Sequence, residues 1–360
     1  MSTASPLSTA SPLSTAPPSS GLPPEAAAAQ LVMQIGSGHL LASALQVVAS
    51  LRIADRLAGG PRTAAELAAD TGVREDGLYR VLRALASVGL FDEEAPRRFK
   101  LTLAGQMLRA DVPGSMHPMA LWITSPFHFR VYAELMHSVR TGQPAAEKVI
   151  GVPVFEHFAR DRELSEVFND AMTAFSEVAI AAVLKAYDFS GIGLLVDVAG
   201  GHGAVLGAVL ERYPAMRGIL FDLDHVVAGA GPRLGARGVA GRCQTQHGDF
   251  FQSVPPGGDA YIMKHIIHDW DDERALVILR NIHRAMGDKS GRVILLESVI
   301  PPGNQAHFGK IIDLEMMVMP GGKERTEEEF RSLFSRAGFE LTRVVPTESP
   351  LSVVEARRAG

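Results

Sequence analysis

Residues 194–206 constrain the fold of this chain more than any other stretch. Leu194 to Val198 is a short apolar run rich in branched residues, which predicts a strand buried on both faces. Three glycines follow within four positions, and the alanine-rich segment from Ala204 to Tyr213 predicts a helix that ends at Pro214. This order predicts the first half of a nucleotide-binding βαβ unit, although a tight turn without a ligand fits the same residues.

Strand and helix patterns alternate from residue 191 to the C-terminus, which predicts an open, Rossmann-like α/β sheet. The predicted strands are 194–198, 218–222, 243–247, 259–264, 292–297, 340–345 and 351–356, and the predicted helices lie near 203–213, 224–237, 271–286 and 326–337. Only a few residues separate the last two strands, too few for a crossover helix. We therefore expect a mainly parallel sheet that ends in an antiparallel hairpin.

The N-terminal part has a different composition. Residues 1–24 repeat short Ser/Thr/Ala/Pro units, so we predict a disordered tail. Residues 25–58 have helical character with apolar positions all round, which predicts burial either in the chain's own core or against another chain. A capping box at Thr63–Glu66, a helix over about 75–88 and a hairpin over 89–103 then predict a helix-turn-helix with a wing.

A winged helix of this kind suits either DNA binding or packing and dimerisation. Residues 31–110 contain ten Lys and Arg against eight Asp and Glu, so the module is barely basic. Its second helix begins with Glu75 and Asp76, which would face DNA phosphates unfavourably. We therefore favour packing or dimerisation. Residues 112–187 combine helical patterns with many aromatic residues and methionines, which fits core filling or a pocket for a flat apolar ligand.

Bulk properties narrow the function classes. The 360 residues are enough for two domains, and the net charge of −5 argues against general binding of nucleic acid or anionic membranes. We find no uninterrupted apolar run long enough to span a bilayer and no signal-peptide pattern, and we expect a cytoplasmic protein. Cys243 is the only cysteine, which fits a reducing compartment; a small filler residue is favoured over a catalytic thiol.

Acidic residues follow the second and third predicted strands. Asp222 ends the strand after the glycine turn, where a carboxylate can accept hydrogen bonds from both ribose hydroxyls; Asp224 is a rival that also suits a helix cap. Asp249 and Phe250 suit an adenine amino group and ring, or only a turn beside a core Phe. Because the loop lacks a third glycine in register and a following Lys-Ser/Thr, a nucleoside cofactor without phosphates fits best.

A histidine follows the strand that ends at Lys264. His268 lies at the carboxyl edge of the sheet, where ligands bind, and an imidazole suits proton removal near neutral pH. Glu297 ends the neighbouring strand and Glu324 precedes a capped helix, so both are candidates to orient the imidazole. The structural alternatives are a surface histidine and ion-paired glutamates. His265, His268 and Asp269 form no regular ligand set, so we predict no metal.

Several of these motifs together carry a family resemblance. Their order is Leu195-Val-Asp-Val-Ala-Gly-Gly-His-Gly203, Phe221-Asp-Leu-Asp-His-Val226, Gly248-Asp-Phe-Phe251, Lys264 with His268-Asp-Trp270, Glu297 and Pro320-Gly-Gly-Lys-Glu-Arg-Thr326. Over roughly residues 30–358 the chain resembles the S-adenosylmethionine-dependent O-methyltransferases of the plant caffeic-acid type and their bacterial natural-product relatives. The resemblance implies a winged-helix-like dimerisation domain (25–111), a helical linker that contributes to the substrate pocket (112–187) and a class I methyltransferase domain (188–358).

The resemblance also implies roles for individual residues. His268 matches the family's catalytic base, with Glu297 and Glu324 as its flanking carboxylates. The matching cofactor positions are Ala199, Gly200, Gly201, Asp222, Leu223, Asp249, Phe250, Lys264 and Ser176. The matching substrate-pocket positions are Trp122, Phe168, Met172, Asp269 and Met316. Ala199, His202 and Trp122 depart from residues common in the family, so loop detail and substrate shape do not transfer.

The expected reaction is therefore methyl transfer from S-adenosylmethionine to a hydroxyl, expected to be phenolic, of a small aromatic or polyketide-like metabolite, with S-adenosylhomocysteine as product. We expect a homodimer formed through the N-terminal domain and no nucleic-acid or membrane partner. Two alternatives remain from the sequence. One is a winged-helix regulator that senses a small molecule, and the other is an enzyme of the same fold that uses the cofactor for a reaction other than methylation.

Overall fold

The computed structural model describes residues 23–359, so nearly all of the tail predicted over 1–24 lies outside the described residues. The described chain forms two compact units. One contains residues 23–133 and 155–176, and the other contains 134–154 and 177–359. We refer to them as the N-terminal unit and the sheet unit.

The elements before the large sheet are mainly helical. In chain order they are α1 (Pro24–Ser50), α2 (Ile53–Arg56), β1 (Arg62–Thr63), α3 (Ala64–Thr71), α4 (Glu75–Ala86), β2 (Phe91–Ala95), β3 (Arg98–Leu101), α5 (Leu103–Gln106), α6 (His117–Ile123), α7 (Pro126–Tyr132), α8 (Leu135–Thr141), α9 (Ala145–Ile150), α10 (Val154–Arg160) and α11 (Arg162–Ala186). The helical content expected over 112–187 is thus confirmed.

The elements that follow alternate between strand and helix. They are β4 (Leu194–Val198), α12 (Ala204–Arg212), β5 (Arg217–Asp222), α13 (Asp224–Val227), α14 (Gly231–Ala236), β6 (Cys243–His247), β7 (Ala260–Lys264), α15 (Asp272–Met286), β8 (Arg292–Glu297), α16 (Gly309–Val318), α17 (Glu327–Arg336), β9 (Phe339–Pro346) and β10 (Ser352–Arg358). Short 3-10 turns occur at Ala240–Arg242 and Ile267–Asp269.

Helix α1 is the least buried long element of the chain. Among its residues only Val48 and Ala49 are buried, whereas Val32, Met33 and Ile35 are about as exposed as surface residues, at 70%, 69% and 73%. Burial of this helix in the chain's own core is therefore wrong for most of its length, because no other element covers its first turns. Arg52, with a left-handed φ of 51°, separates α1 from α2.

By length and composition α1 would also pass as a membrane span, and it is the one helix of the described chain that does so. Core helices of soluble proteins and signal sequences pass the same test, so this is weak evidence for a membrane. The sequence expectation concerned uninterrupted apolar runs, and this helix is interrupted by polar residues. The interrupting residues, such as Gln34, Ser37 and His39, are polar but uncharged, and the apolar residues around them keep the helix apolar on average.

The winged-helix pattern in the N-terminal unit is confirmed. The Thr63 hydroxyl accepts from the Glu66 N–H, and the Glu66 carboxylate accepts from the Thr63 N–H, which completes the predicted capping box. Strands β1, β3 and β2 form a three-stranded antiparallel sheet in that spatial order. Leu67, Leu82 and Phe99 are fully buried between these helices and the wing.

The sheet unit contains a seven-stranded sheet in the order β6-β5-β4-β7-β8-β10-β9. Neighbouring strands from β6 to β8 are parallel, and β10 is antiparallel to both β8 and β9. This confirms the predicted α/β sheet and its terminal hairpin. Because the chain leaves β4 towards β5 on one side and returns to β7 on the other, a crevice opens beyond the carboxyl ends of these strands.

Two helix predictions in the sheet unit need correction. The single helix predicted over 224–237 is two helices, α13 and α14, because Gly229, Gly231 and Pro232 interrupt it. Helix α16 was not predicted, since its sequence lacks a capping signal and a clear polar face. The core lies on both faces of the sheet, and residues of its central strands such as Val196, Ile262 and Leu295 are fully buried.

Candidate active site

The loop after β4 is held tightly against the sheet. A Cβ atom at Gly200 would lie 2.5 Å from the Asp197 carboxylate and from a Leu220 methyl group, so only glycine fits there. Ala199, where the family usually has glycine, has a left-handed φ of 56°. Burial, helped by the nearby Asp222 charge, raises the pKa of Asp197 to about 7, although the hydrogen bond from the Leu206 N–H opposes this. The loop therefore has little freedom to move.

Asp222 lies at the end of β5, beside this loop. One carboxylate oxygen accepts the Gly201 N–H at 2.8 Å, and the other accepts the Leu223 N–H at 2.7 Å. Two backbone donors thus fix the carboxylate, while each oxygen keeps lone pairs for a further donor. Leu223 is 48% exposed despite being apolar. Asp224 is instead the first residue of α13, without a side-chain capping bond.

The remaining cofactor candidates also lie at the carboxyl ends of the parallel strands. The Asp249 carboxylate accepts the Phe251 N–H at 2.8 Å, so the expected turn is present, and the partly buried Phe250 packs edge-on against Phe251. Lys264 ends β7, and burial lowers the pKa of its ammonium group although Glu297 and Asp197 oppose this. An oriented carboxylate, a half-exposed leucine and a glycine loop without a phosphate-binding sequence fit an adenosine-containing cofactor.

His268 lies in the 3-10 turn that directly follows β7, and its side chain is 9% exposed. Its Nδ1–H donates to Glu324 Oε1 at 2.8 Å, and Nδ1 is 3.8 Å from Glu297 Oε2. The other ring nitrogen, Nε2, is 3.5 Å from Asp269 Oδ1. A proton on Nδ1 leaves the Nε2 lone pair of the neutral ring to accept a proton from a reactant. The three residues expected to act together are therefore adjacent.

Glu297 is fully buried at the end of β8 and contacts two parts of the same turn. Its Oε1 accepts the Ile266 and Ile267 N–H groups at 3.1 and 3.0 Å, and its Oε2 faces the imidazole. No atom of the described residues forms a hydrogen bond with Oε2. Glu297 thus fixes the backbone that carries His268 and also adds negative charge beside its ring.

The electrostatics of this cluster favour a protonated imidazole. Burial alone would lower the pKa of His268, but Glu297, Asp269 and Glu324 together raise it to about 10. Burial raises the pKa of Glu297 above its usual value and that of Asp269 to about 6. A histidine with this proton affinity is well matched to a phenol, whose ordinary pKa is about 10. Its proton must first leave, which gives the site a marked pH dependence.

His265 lies beside this cluster and was weighed in the sequence only as a surface histidine or metal ligand. Its ring stacks on that of His268, with centroids 4.8 Å apart and an angle of 11° between the ring planes. Burial, together with the charges of Lys264 and His268, lowers the pKa of His265 well below its usual value, so the ring is neutral. Because the His265 ring is neutral, it places no second positive charge beside His268.

The segment 321–325 brings Glu324 to the turn. The Glu324 N–H donates to Asp313 Oδ1 at 2.8 Å, so the unpredicted helix α16 supplies the support for this loop. At Gly322 a Cβ atom would lie 1.9 Å from the His268 carbonyl oxygen, which excludes any side chain. The sequence contains the Gly321-Gly-Lys-Glu motif but no signal for Asp313, because its role depends on where α16 packs.

The candidate pocket residues fall in both units. In the N-terminal unit, Trp122 contacts Phe168 edge-on with ring centroids 5.1 Å apart, and Phe158 stacks on Phe168 at 4.9 Å. Met172 is partly buried, and the Ser176 hydroxyl donates to its carbonyl at 2.6 Å. In the sheet unit, Met316 is buried on α16 and Asp269 lies beside the imidazole. Their assignment to a substrate or cofactor pocket stays a prediction.

Two other sequence hypotheses can be compared with the site. Donor atoms of His268, Glu297 and Glu324 lie within 4.8 Å of one another, close enough to hold a metal ion, a set that the sequence prediction of no metal did not consider. Within the cluster, however, the bond to Glu324 already occupies Nδ1, the ring nitrogen that lies near both glutamates. Burial raises the pKa of the half-buried Cys243 thiol to about 11, which disfavours a thiolate nucleophile.

The sheet topology and the crevice define the class I, Rossmann-like methyltransferase fold. The O-methyltransferase domain family matches residues 132–340, and the O-methyltransferase dimerisation domain family matches residues 33–111. The chain is 43% identical over 329 residues to the phenazine O-methyltransferase PhzM of Lysobacter antibioticus, covering 91% of this chain and 96% of that protein. It is 37% identical over 336 residues to the mitomycin biosynthesis 6-O-methyltransferase of Streptomyces lavendulae, covering 93% and 96%.

A solved relative shows ligands in this fold. The chain is similar to an O-methyltransferase (NcsB1) from neocarzinostatin biosynthesis, crystallised with S-adenosylmethionine and 2-hydroxy-5-methyl naphthoic acid. The TM-score is 0.76 and the identity 35%, with 88% of this chain and 95% of that one covered. The chain belongs to the family of S-adenosylmethionine-dependent O-methyltransferases. It is therefore an enzyme whose cofactor is S-adenosylmethionine, and it contains the family's dimerisation domain.

Proposed function

We propose that this enzyme methylates a phenolic hydroxyl of a small aromatic or polyketide-like metabolite, with His268 as the general base. The observation that carries the proposal is the buried imidazole whose Nδ1 is bonded to Glu324, because this leaves Nε2 to accept the hydroxyl proton. The relatives named for phenazine and mitomycin biosynthesis, and the naphthoic acid bound to NcsB1, support an aromatic acceptor.

In this reaction the phenol O–H donates its proton to Nε2 while the oxygen attacks the transferable methyl group in line. The bound cofactor supplies that methyl group from its sulfonium centre. Glu297 and Glu324 stabilise the imidazolium that forms, and their burial strengthens this interaction. We also propose that Asp269 contacts the acceptor hydroxyl, and its position 3.5 Å from Nε2 supports this. The remaining rate enhancement comes from holding the acceptor oxygen and the methyl donor in line with each other.

For the cofactor we propose that Asp222 accepts the ribose hydroxyls and that Leu223 covers the adenosine. The set is completed by Asp249, Phe250, the backbone at Lys264 and the loop at Ala199, Gly200 and Gly201. The fixed Asp222 carboxylate supports this assignment over Asp224, which is the first residue of α13. For the acceptor we propose an apolar surface in the N-terminal unit that includes Trp122, Phe168 and Met172.

A panel of acceptors tests the reaction. Purified enzyme is incubated with methyl-labelled S-adenosylmethionine and phenols, naphthols and hydroxyphenazines, each paired with its methyl ether as a matched blank. We expect label transfer to at least one free phenol and none to its ether. Label found only on aromatic amines or carboxylates would overturn the phenolic assignment. Retained binding to DNA without any methylation would instead favour the regulator.

We also propose that the enzyme is a homodimer in which a second copy covers α1. The helix leaves an apolar surface exposed in one chain, and the dimerisation domain family includes residue 33 onward. Light scattering of the wild type is expected to give twice the chain mass. Val32→Glu with Ile35→Glu should shift the mass towards the monomer, whereas Val277→Glu, an exposed apolar site on α15, should not.

A cytoplasmic location, without a membrane partner, follows from the same covering of α1. The single cysteine fits a reducing compartment. Cell fractionation is expected to leave the enzyme in the soluble fraction. Recovery with the membranes, and release only by detergent, would show that α1 inserts into lipid instead of pairing with a second copy.

A further inference from the structure

Arg325 contacts the turn that carries His268 and plays no part in the reaction proposed above. Its side chain is fully buried, although it carries a permanent charge. Burying a guanidinium group costs several kcal/mol unless its donors are paired, so a chain keeps one inside only where the surroundings satisfy it. The position of Arg325 within the molecule therefore needs an explanation.

The guanidinium group bonds to both sides of His268. Nη1 donates to the Ile267 carbonyl at 3.0 Å, and Nη2 donates to the Trp270 carbonyl at 2.9 Å. Nε and Nη2 both donate to Asp272 Oδ1, at 3.1 and 2.8 Å. The group thus bridges the residue before His268, the residue after Asp269 and the start of α15.

Arg325 belongs to a continuous contact between two loops. Gly322 has no room for a side chain against the His268 carbonyl, the Lys323 N–H donates to that carbonyl at 2.9 Å, and Glu324 accepts from the imidazole. Arg325 completes this series. On the opposite side of the turn, Glu297 accepts two N–H groups. The turn is therefore fixed through its N–H groups by a carboxylate and through its carbonyl groups by a guanidinium.

We propose that Arg325 is a positioning residue: it holds the turn 267–270 against the Glu324 segment, so that His268 keeps the orientation in which Nδ1 meets Glu324 and Nε2 meets the acceptor. The proposal rests on the role of His268 proposed above. A lysine cannot replace the arginine, because one ammonium group cannot span two carbonyls and a carboxylate that lie in the fixed directions of the guanidinium fork.

The variants to compare are Arg325→Met, Arg325→Lys and a matched control, Arg336→Met. Arg336 joins α17 to Glu273 on α15 by an exposed ion pair and touches no atom of the turn. We expect kcat of Arg325→Met to fall by about 100-fold, because a small displacement of a catalytic group has effects of this size. KM for the acceptor and Kd for the cofactor should change by less than about threefold, and Arg336→Met should behave as the wild type.

Three results would overturn the proposal. One is a kcat of Arg325→Met close to the wild-type value in folded protein. Another is a fall in kcat matched by an equal fall in the folded fraction or in cofactor affinity, because that indicates a structural role only. If Arg325→Met does not fold, Arg325→Lys decides: full activity in that variant contradicts the need for the fork.

Hydrogen–deuterium exchange separates this proposal from the proposed reaction. In wild-type enzyme the amide groups of Ile266, Ile267 and Lys323 are hydrogen-bonded within the two loops. We expect them to exchange faster in Arg325→Lys than in Arg336→Met, whether or not an acceptor is known. If the wild type methylates no phenol, the proposed function fails while the exchange result still decides the role of Arg325.

Discussion

The carboxyl edge of the sheet has two sides that are built differently. On the glycine-loop side, Asp222 remains partly exposed and accepts the N–H groups of the next residue, Leu223, and of Gly201, 21 residues earlier. On the histidine side, His268 meets Glu324, which lies 56 residues later, and each of the two side chains is nearly or completely buried. Backbone N–H groups at the ends of two neighbouring strands thus hold the first side, whereas side chains from three distant segments pack together to create the second.

This difference has an energetic consequence. Exposed charges near water interact weakly, but buried charges affect one another strongly because water does not screen them. We therefore expect substitutions on the histidine side to change the rate and its pH dependence. Substitutions on the glycine-loop side should change the affinity for the cofactor. The following predictions test that division, starting with the largest effect.

Replacing the base should have the largest effect. His268→Ala is expected to lower kcat by about 10²- to 10⁴-fold, the usual contribution of a general base, with Kd for S-adenosylmethionine unchanged. Single-turnover assays measure the rate of methyl transfer, and calorimetry on the same preparation measures Kd for S-adenosylmethionine. Turnover near the wild-type rate would remove His268 as the base, and a parallel loss of cofactor binding would contradict the separation between the two sides.

On the glycine-loop side, Asp222→Ala should weaken cofactor binding by about 10- to 100-fold, since a hydrogen bond to a charged group contributes about 1.5–3 kcal/mol. At saturating cofactor, kcat should be close to that of the wild type. Asp224→Ala is the matched control and should bind normally. If calorimetry finds the loss in the Asp224 variant instead, the ribose assignment moves to that residue.

The pH profile should distinguish the two sides further. Because the pKa of His268 is raised to about 10, the neutral base becomes more abundant as the pH rises, and kcat/KM should increase from pH 7 upward. Glu324→Gln removes one of the charges that raise this pKa, so its rising limb should move to lower pH by about one unit. The same acceptor is used for both enzymes, so that ionisation of the phenol affects both pH profiles equally and drops out of the comparison. An unshifted profile would show that Glu324 does not act on the imidazole.

Chelation should have the smallest effect. Although the donor atoms of His268, Glu297 and Glu324 lie close enough to hold a metal ion, the proposed reaction needs none. Dialysis against EDTA is expected to leave kcat unchanged, and adding Zn²⁺ should inhibit by competing with the proton on the imidazole. If EDTA abolished activity and one added metal restored it, the proposal that the histidine side works without a metal would be contradicted.

The sequence by itself determined the elements that depend on local patterns. Strands β4 to β8 were predicted within a residue or two. Four of them, β4, β5, β7 and β8, are apolar runs between glycine and polar turns, which mark buried parallel strands, whereas β6 is a polar edge strand. The hairpin followed from the short connection before β10, and the capping boxes at Thr63 and Thr326 followed from residue types at fixed spacing. The order of motifs then indicated the family and its cofactor.

Only the tertiary structure decided how the histidine side is assembled. Helix α16 and its Asp313 support Glu324, and Arg325 bonds to the backbone on both sides of His268, yet neither contact has a sequence period or spacing that would reveal it. The raised pKa of His268 likewise depends on Glu297 and Glu324, which reach the ring only through folding, in addition to the adjacent Asp269. Sequence patterns report what a residue does to its neighbours along the chain, whereas burial and charge coupling depend on distances that exist only after the sheet and its loops have packed.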